Sequence, residues 1–177
     1  RRLDPHIWTS VVYTWWARGE MERVIAETSD AGDFELRTMA FEALGLSDEA
    51  RRSLKADSGL SLSPIFVTIQ KALLALLDRK PETADMFAEL AATHSDPEAM
   101  FMYGACQVRA GDAARALPSF VAAIDGGFAV PQALAHPWLE PLRGEPALAR
   151  LLERAQASRR QAELAFREAG GPALLGA

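Results

Sequence analysis

Three histidines and one cysteine are the side chains of this protein with the broadest chemistry, and their spacing limits what they could do. A zinc site needs ligands that converge from short, regular intervals. His6, His94 and His136 lie in different parts of the chain and Cys106 stands alone, so no ligand set is written into the sequence. No metal and no other cofactor is expected. A single cysteine cannot close an internal disulfide, and Cys106, in the apolar middle of a helix, reads as a small core residue and not a nucleophile. The sequence has neither the Gly-x-x-x-x-Gly-Lys loop that cradles phosphate nor the Gly-x-Ser-x-Gly elbow of acyl transfer. Carboxylate pairs such as Asp48-Glu49 fall at helix starts, where they complement the helix dipole. Nucleophile, base and orienting group never come together, so no catalytic residue is assigned and no enzymatic activity is expected of this chain.

The elements that carry these residues all read as helices, punctuated by Gly, Pro, Asp and Ser. Asp4-Pro5 sets an N-cap beside a proline suited to the first helical turn, and Gly19 closes that helix. Within it Trp8, Val11, Val12 and Trp15 share one helical face. Asp33 opens a helix that Gly45 ends, Ser47 opens the next, and Ser63-Pro64 starts one that runs to about Asp78. Pro81 and Asp96-Pro97 open two more, Gly111-Asp112 separates another pair, and Gly126-Gly127 stops the run. From Pro146 to Ala169 the pattern predicts a longer amphipathic helix, with Leu148, Leu151, Leu152, Ala155, Ala162 and Phe166 broadly on one side. No stretch sustains an alternation of period two. The predicted fold is all-α.

Composition agrees with a folded, non-membrane chain. Of 177 residues 49% are hydrophobic and 24% charged, enough to build a core. The longest apolar run, Ala72 to Leu77, is far too short to span a bilayer. A net charge of −5 has the wrong sign for a binder of nucleic-acid backbones. Residues 143–177 carry six Arg against four Glu, but Arg159 and Arg160 interleave with Glu153 and Glu163, as on a solvated helix face. Neither nucleic acid nor membrane is expected as a partner. The chain opens with Arg1-Arg2-Leu3-Asp4-Pro5 and no methionine, which reads as a piece of something longer; a cytoplasmic setting is the default.

The helices come in pairs, and the pairs repeat. Turns align at Gly19, Gly45, Arg79 and Gly111, spaced 26, 34 and 32 residues apart, each followed five positions later by Val24, Ala50, Ala84 or Ala116. A helix-pair period near 34 is the tetratricopeptide signature. The glycine permits a left-handed turn, and the small residue lets the second helix approach the first. In the last pair Gly104, Gly111, Ala116, Phe120 and Ala123 reproduce the small, small, small, aromatic, small pattern of that repeat. Gln107 stands where a tyrosine is usual and Arg79 where a glycine is usual. After the repeats come His136-Pro137-Trp138-Leu139-Glu140-Pro141-Leu142-Arg143, then Pro146, Leu148, Leu151 and Leu152. With this ending the chain resembles the C-terminal tetratricopeptide regions of bacterial multidomain signalling proteins, in which serine/threonine kinases, nucleotide cyclases or winged-helix regulators carry helical repeats behind an effector domain. Their arrays close with a similar Asp-Pro, Leu-x-Pro-Leu-Arg, Pro-x-Phe, Leu-Leu segment, where His136 here replaces the Asp and Leu148 the Phe. The resemblance implies a right-handed α-solenoid of about four pairs over residues 1–127. Residues 128–177 then form a closing segment and a capping helix of the same domain.

In such pairs some first-helix positions line a concave inner face. Counting from each turn puts Tyr13, Trp16, Met39, Ile69, Leu73, Leu76, Phe101, Val108 and Arg109 there, an unusually apolar surface to leave wet. Three readings stay open: a partner fills it, the long C-terminal helix folds back over it, or the counting is off by one residue. The expected role is a non-catalytic protein–protein interaction or self-association module, a scaffold within a larger regulatory protein. Its partner would be a protein or peptide, its own upstream domain, or a second copy. The alternative is a sensor that holds a small apolar metabolite in the helical interior.

Overall fold

A computed structural model describes residues 11–28, 34–56 and 63–174. The expectations placed on Asp4-Pro5, His6, Trp8 and Asp33 lie outside those residues. All regular structure among the described residues is helical. The chain divides into two compact units, residues 1–78 and 79–177, so the border expected at 127/128 falls inside the second unit. The first unit contains α1 (Val11–Ala17), α2 (Met21–Glu27), α3 (Phe34–Ala43), α4 (Ser47–Ala56) and α5 (Pro64–Leu77). The second contains α6 (Thr83–Thr93), α7 (Pro97–Arg109), α8 (Ala113–Asp125), two short 3-10 helices (Pro131–Ala135 and Pro137–Leu142), α9 (Pro146–Glu168) and α10 (Gly171–Leu174).

The turn chemistry is where the sequence spoke most directly. Gly19, Gly45, Arg79 and Gly111, the four aligned positions, all take positive φ, at 79°, 74°, 53° and 94°. At three of them the next residue's N–H reaches back five positions: Glu20 to the Trp15 carbonyl, Leu46 to Phe41 and Asp112 to Gln107. That closes the helix end in a Schellman turn. Gly127 repeats the device at the end of α8, with Phe128 N–H donating to Ala123. Arg79 holds the same left-handed conformation with a Cβ, which costs about 1–2 kcal/mol. Glycine removes that strain but gives the unfolded chain more freedom. Arg79→Gly should raise stability by about 0.5–1 kcal/mol, read as an increase in the urea midpoint at constant slope. Equal or lower stability would mean that the Arg79 side chain makes a contact worth more than its backbone strain.

Packing follows the small residues. In the first unit α1 packs on α2, α3 on α4, and α3 also touches both α1 and α5. Trp16, Val24, Met39, Ala40 and Ala50 are completely buried there. Long polar side chains tie the helix ends together. Arg37 of α3 donates to the carbonyls of Ile25 in the last turn of α2 and of Thr28 just beyond it, at 2.7 and 2.6 Å. Gln70 of α5 donates to Leu54 at the end of α4, at 2.7 Å. Arg51 of α4 does the same for α5, reaching the Leu77 carbonyl at 3.2 Å and the Asp78 carboxylate at 2.6 Å. Each satisfies carbonyls that a helix end leaves without an intrahelical partner.

In the second unit α7 and α8 pack closely, and Gly104 shows why. A Cβ on Gly104 would fall 2.8 Å from Cε1 of Phe120, a ring that is itself fully buried and 5.3 Å from Phe101. Gly104→Ala gains about 0.5–1 kcal/mol of helix propensity but forces overpacking that costs about 1–3 kcal/mol. A net loss of stability is expected in thermal melts. A net gain would mean that Phe120 can swing aside. Asp96 and Asp112 cap α7 and α8 as their positions predict, accepting from Ala99 N–H at 2.9 Å and Arg115 N–H at 3.1 Å.

Candidate functional site

The nine residues assigned to a concave face divide between the two units. Tyr13, Trp16, Met39, Ile69, Leu73 and Leu76 belong to the first, and Phe101, Val108 and Arg109 to the second. Eight of them are buried in the folded chain; Arg109 alone is exposed. Tyr13 and Trp16 meet edge to face with centroids 6.0 Å apart. Phe101 lies 5.3 Å from both Phe120 and Phe128, so it faces α8 and the segment after it. These eight side chains are core, and in this conformation they offer a partner almost no surface. Their burial has a simple cause. On a short helix packed on more than one side, the positions counted as facing inward also face neighbouring helices.

The groups with chemical potential are equally enclosed or engaged. Cys106 is buried. His94 ends α6, its Nδ1 2.8 Å from the Leu90 carbonyl. Glu98 and Glu140 do follow His94 and His136 by four residues. His94 precedes α7 and His136 precedes a 3-10 turn, so neither pair shares a continuous α-helical face. No cluster of three His, Cys, Asp or Glu side chains that could hold a metal occurs among the described residues. His136 is completely buried, and its Nδ1 accepts the Trp138 N–H at 3.1 Å. Burial pushes its pKa down to about 3, so the ring is neutral with its proton on Nε2. It acts as the cap of the second 3-10 turn.

Accessible features among the described residues include three. The first is a cleft of about 200 Å³ between α4 and α5, lined by Arg51, Leu54, Lys55, Gln70, Lys71 and Leu74. The second is an open cleft of about 470 Å³ between the 3-10 segment and the start of α9, where Leu134, Leu148 and Leu152 meet Arg143. The third is α9 itself. Its first half packs on α8 and the first 3-10 turn, burying Leu151 and Ala155. Every residue from 159 to 170 is exposed.

No protein-family model, curated protein or solved structure matches this chain. Among the described residues no helix is long and apolar enough to cross a membrane. Arg154 pairs with Asp125 across α8 and α9, and Arg159 reaches Glu163 at 2.8 Å and Gln132 at 3.3 Å. The Arg159 hydrogen bond, the largest cause, holds the exposed Glu163 carboxyl below its usual range. Of the helix-spaced pairs expected on the exposed face of α9, Arg159–Glu163 forms. Sequence reasoning missed that the opposite, apolar face runs on beyond α8 and the first 3-10 turn, to Phe166, which has the short α10 against it and is still half-exposed. The signal was available: the stripe from Leu148 to Phe166 is longer than any neighbouring helix.

Proposed function

We propose that this chain is a non-catalytic protein–protein interaction and self-association module of a larger bacterial regulatory protein, built as a short tetratricopeptide-like array in the cytoplasm. One observation carries the reading. The apolar stripe of α9 continues past its buried part, Leu151 and Ala155, through Ala162 to Phe166, which lies against Gly171 yet stays 45% exposed. A helix whose apolar face continues beyond its own fold is built to be covered by another. The filled interior and the aligned left-handed turns support a scaffold over a catalyst.

Sedimentation equilibrium of the chain and of Phe166→Glu tests this. The parent chain should self-associate in the micromolar range, and Phe166→Glu should weaken that association at least tenfold with unchanged helical circular dichroism. A parent chain that stays monomeric at millimolar concentration would remove self-association from the proposal. The sensor alternative has its own support in the 470 Å³ cleft, which falls within the size range of small-molecule sites. Its lining is mostly apolar, Arg143 is already paired with Glu140, and Glu145 stands at the rim, so an uncharged apolar ligand suits it better than a carboxylate. Octanol should then raise the melting temperature in a way that Leu148→Glu abolishes.

A further inference from the structure

We infer that a groove in the second unit, running along α7 between α6 and α8, binds a small uncharged carboxamide with a short aliphatic body. It involves neither the outer half of α9 nor the 470 Å³ cleft, so it goes beyond the function proposed above and can fail separately from it. α7 packs on both of its neighbours, and the Asp85–Arg115 pair joins α6 to α8 at one end of the groove. Ala88, Ala91 and Ala92 of α6 and Ala122 of α8 line its sides, small side chains that leave room between the helices. About 390 Å³ stays open there, within the 300–1,000 Å³ usual for small-molecule sites.

The polar group that matters in this groove is Gln107. It is 1% exposed, a degree of burial at which side-chain amides are normally hydrogen-bonded. Ser119, also buried, donates from Oγ to Gln107 Oε1 at 3.3 Å. Among the described residues no acceptor is bonded to the other end of the amide. Gln107 lines the groove and its nitrogen is not sealed into the interior, so its N–H donors are presented to whatever fills the groove. Ser119 Oγ, having given its proton to Gln107, keeps lone pairs that can accept. A donor beside an acceptor is the complement of a carboxamide, whose oxygen takes the Gln107 N–H while its own N–H donates to Ser119. Nothing calls for a charged ligand. Arg115, at the rim, is already paired with Asp85 and, at 3.1 Å, with Asp112. Met100 and the alanines are left to receive the aliphatic part.

The test titrates the full, isotope-labelled chain with hexanamide and follows its backbone amides by two-dimensional NMR. Saturable shifts are expected in segments 88–92 and 115–122 and at Gln107. Gln107→Leu keeps the volume but removes one neutral hydrogen bond, so it should weaken binding about fivefold or more. Ala122→Leu, at an exposed position, should abolish binding by filling the groove, with helical circular dichroism unchanged. Hexanoate has the same shape but no N–H and a charge, and should bind at least as weakly as hexanamide does to Gln107→Leu. Leu148→Glu, on the lining of the 470 Å³ cleft, should leave hexanamide binding as it is. Should Gln107→Leu fail to fold, Ala122→Leu and the hexanoate comparison decide the matter. Absence of saturable shifts in the groove, equal binding of hexanoate, or undiminished binding by folded Gln107→Leu or Ala122→Leu would overturn the inference. Loss of binding in Leu148→Glu would overturn it too, by assigning the amide to the other cleft. Failure of the chain to self-associate, with these results otherwise as expected, would leave the groove standing as a site in its own right.

Discussion

Lowering the pH from about 6.5 to about 3 should remove on the order of 4 kcal/mol of stability through His136 alone. The sign follows from burial. In the unfolded chain this imidazole takes up a proton near pH 6.5, whereas in the folded chain burial depresses that event to about 3. Between those values the unfolded state binds the extra proton, so stability rises with pH and falls on acidification. Below about pH 3 both states are protonated and the loss is complete. Carboxylates add their own acid sensitivity, so the measurement is the difference between the parent chain and His136→Asn in urea melts from pH 7.5 to 3. Asparagine can still accept the Trp138 N–H but cannot titrate. Parallel stability curves for the two proteins would mean that His136 is wetter than its complete burial indicates. His136→Ala removes both the cap and the ring that stacks edge-on with Trp138 at 5.5 Å. It should cost about 2–4 kcal/mol at pH 7.5, clearly more than His136→Asn.

The same residue shows what was legible in the sequence and what was not. Helix starts and stops were legible because they are local: a turn that needs positive φ selects glycine, and an N-cap selects Asp before a proline. The alignment of Arg79 with three glycines was legible from spacing alone, and its φ of 53° agrees. His136 in the place of an Asp makes sense because the position needs an acceptor for Trp138 N–H at a site that is fully buried, where a neutral imidazole costs less than a carboxylate. Illegible were the exchanges between helices. Nothing local says that Arg37 will serve the end of α2, or that Arg51 and Gln70 will each serve the other's helix. Those bonds depend on which helices become neighbours. For the same reason counting from turns could not separate faces buried within a pair from faces buried by the next one, and the docking surfaces were sought among core residues.

The burial of the residues counted from the turns has a sharp experimental consequence. On an open face, Leu73→Glu or Phe101→Glu would abolish binding and leave folding intact. In this structure Leu73 is 1% exposed and Phe101 2%, so either substitution places a carboxylate in a dry, packed interior. Each loses the packing of a large apolar side chain and adds the cost of burying a charge or of protonating it, together about 4 kcal/mol or more. For a chain of this size that corresponds to a fall of roughly 8–16 °C in melting temperature. Arg109→Glu is the internal control: it comes from the same set but is exposed at the end of α7, so its cost should be about 1 kcal/mol or less, mainly through the helix dipole. Native-like melting of Leu73→Glu and Phe101→Glu, together with lost association, would return these residues to a binding face. Cooperative destabilisation of both, with Arg109→Glu near the parent, would establish Leu73 and Phe101 as core and leave recognition to exposed residues.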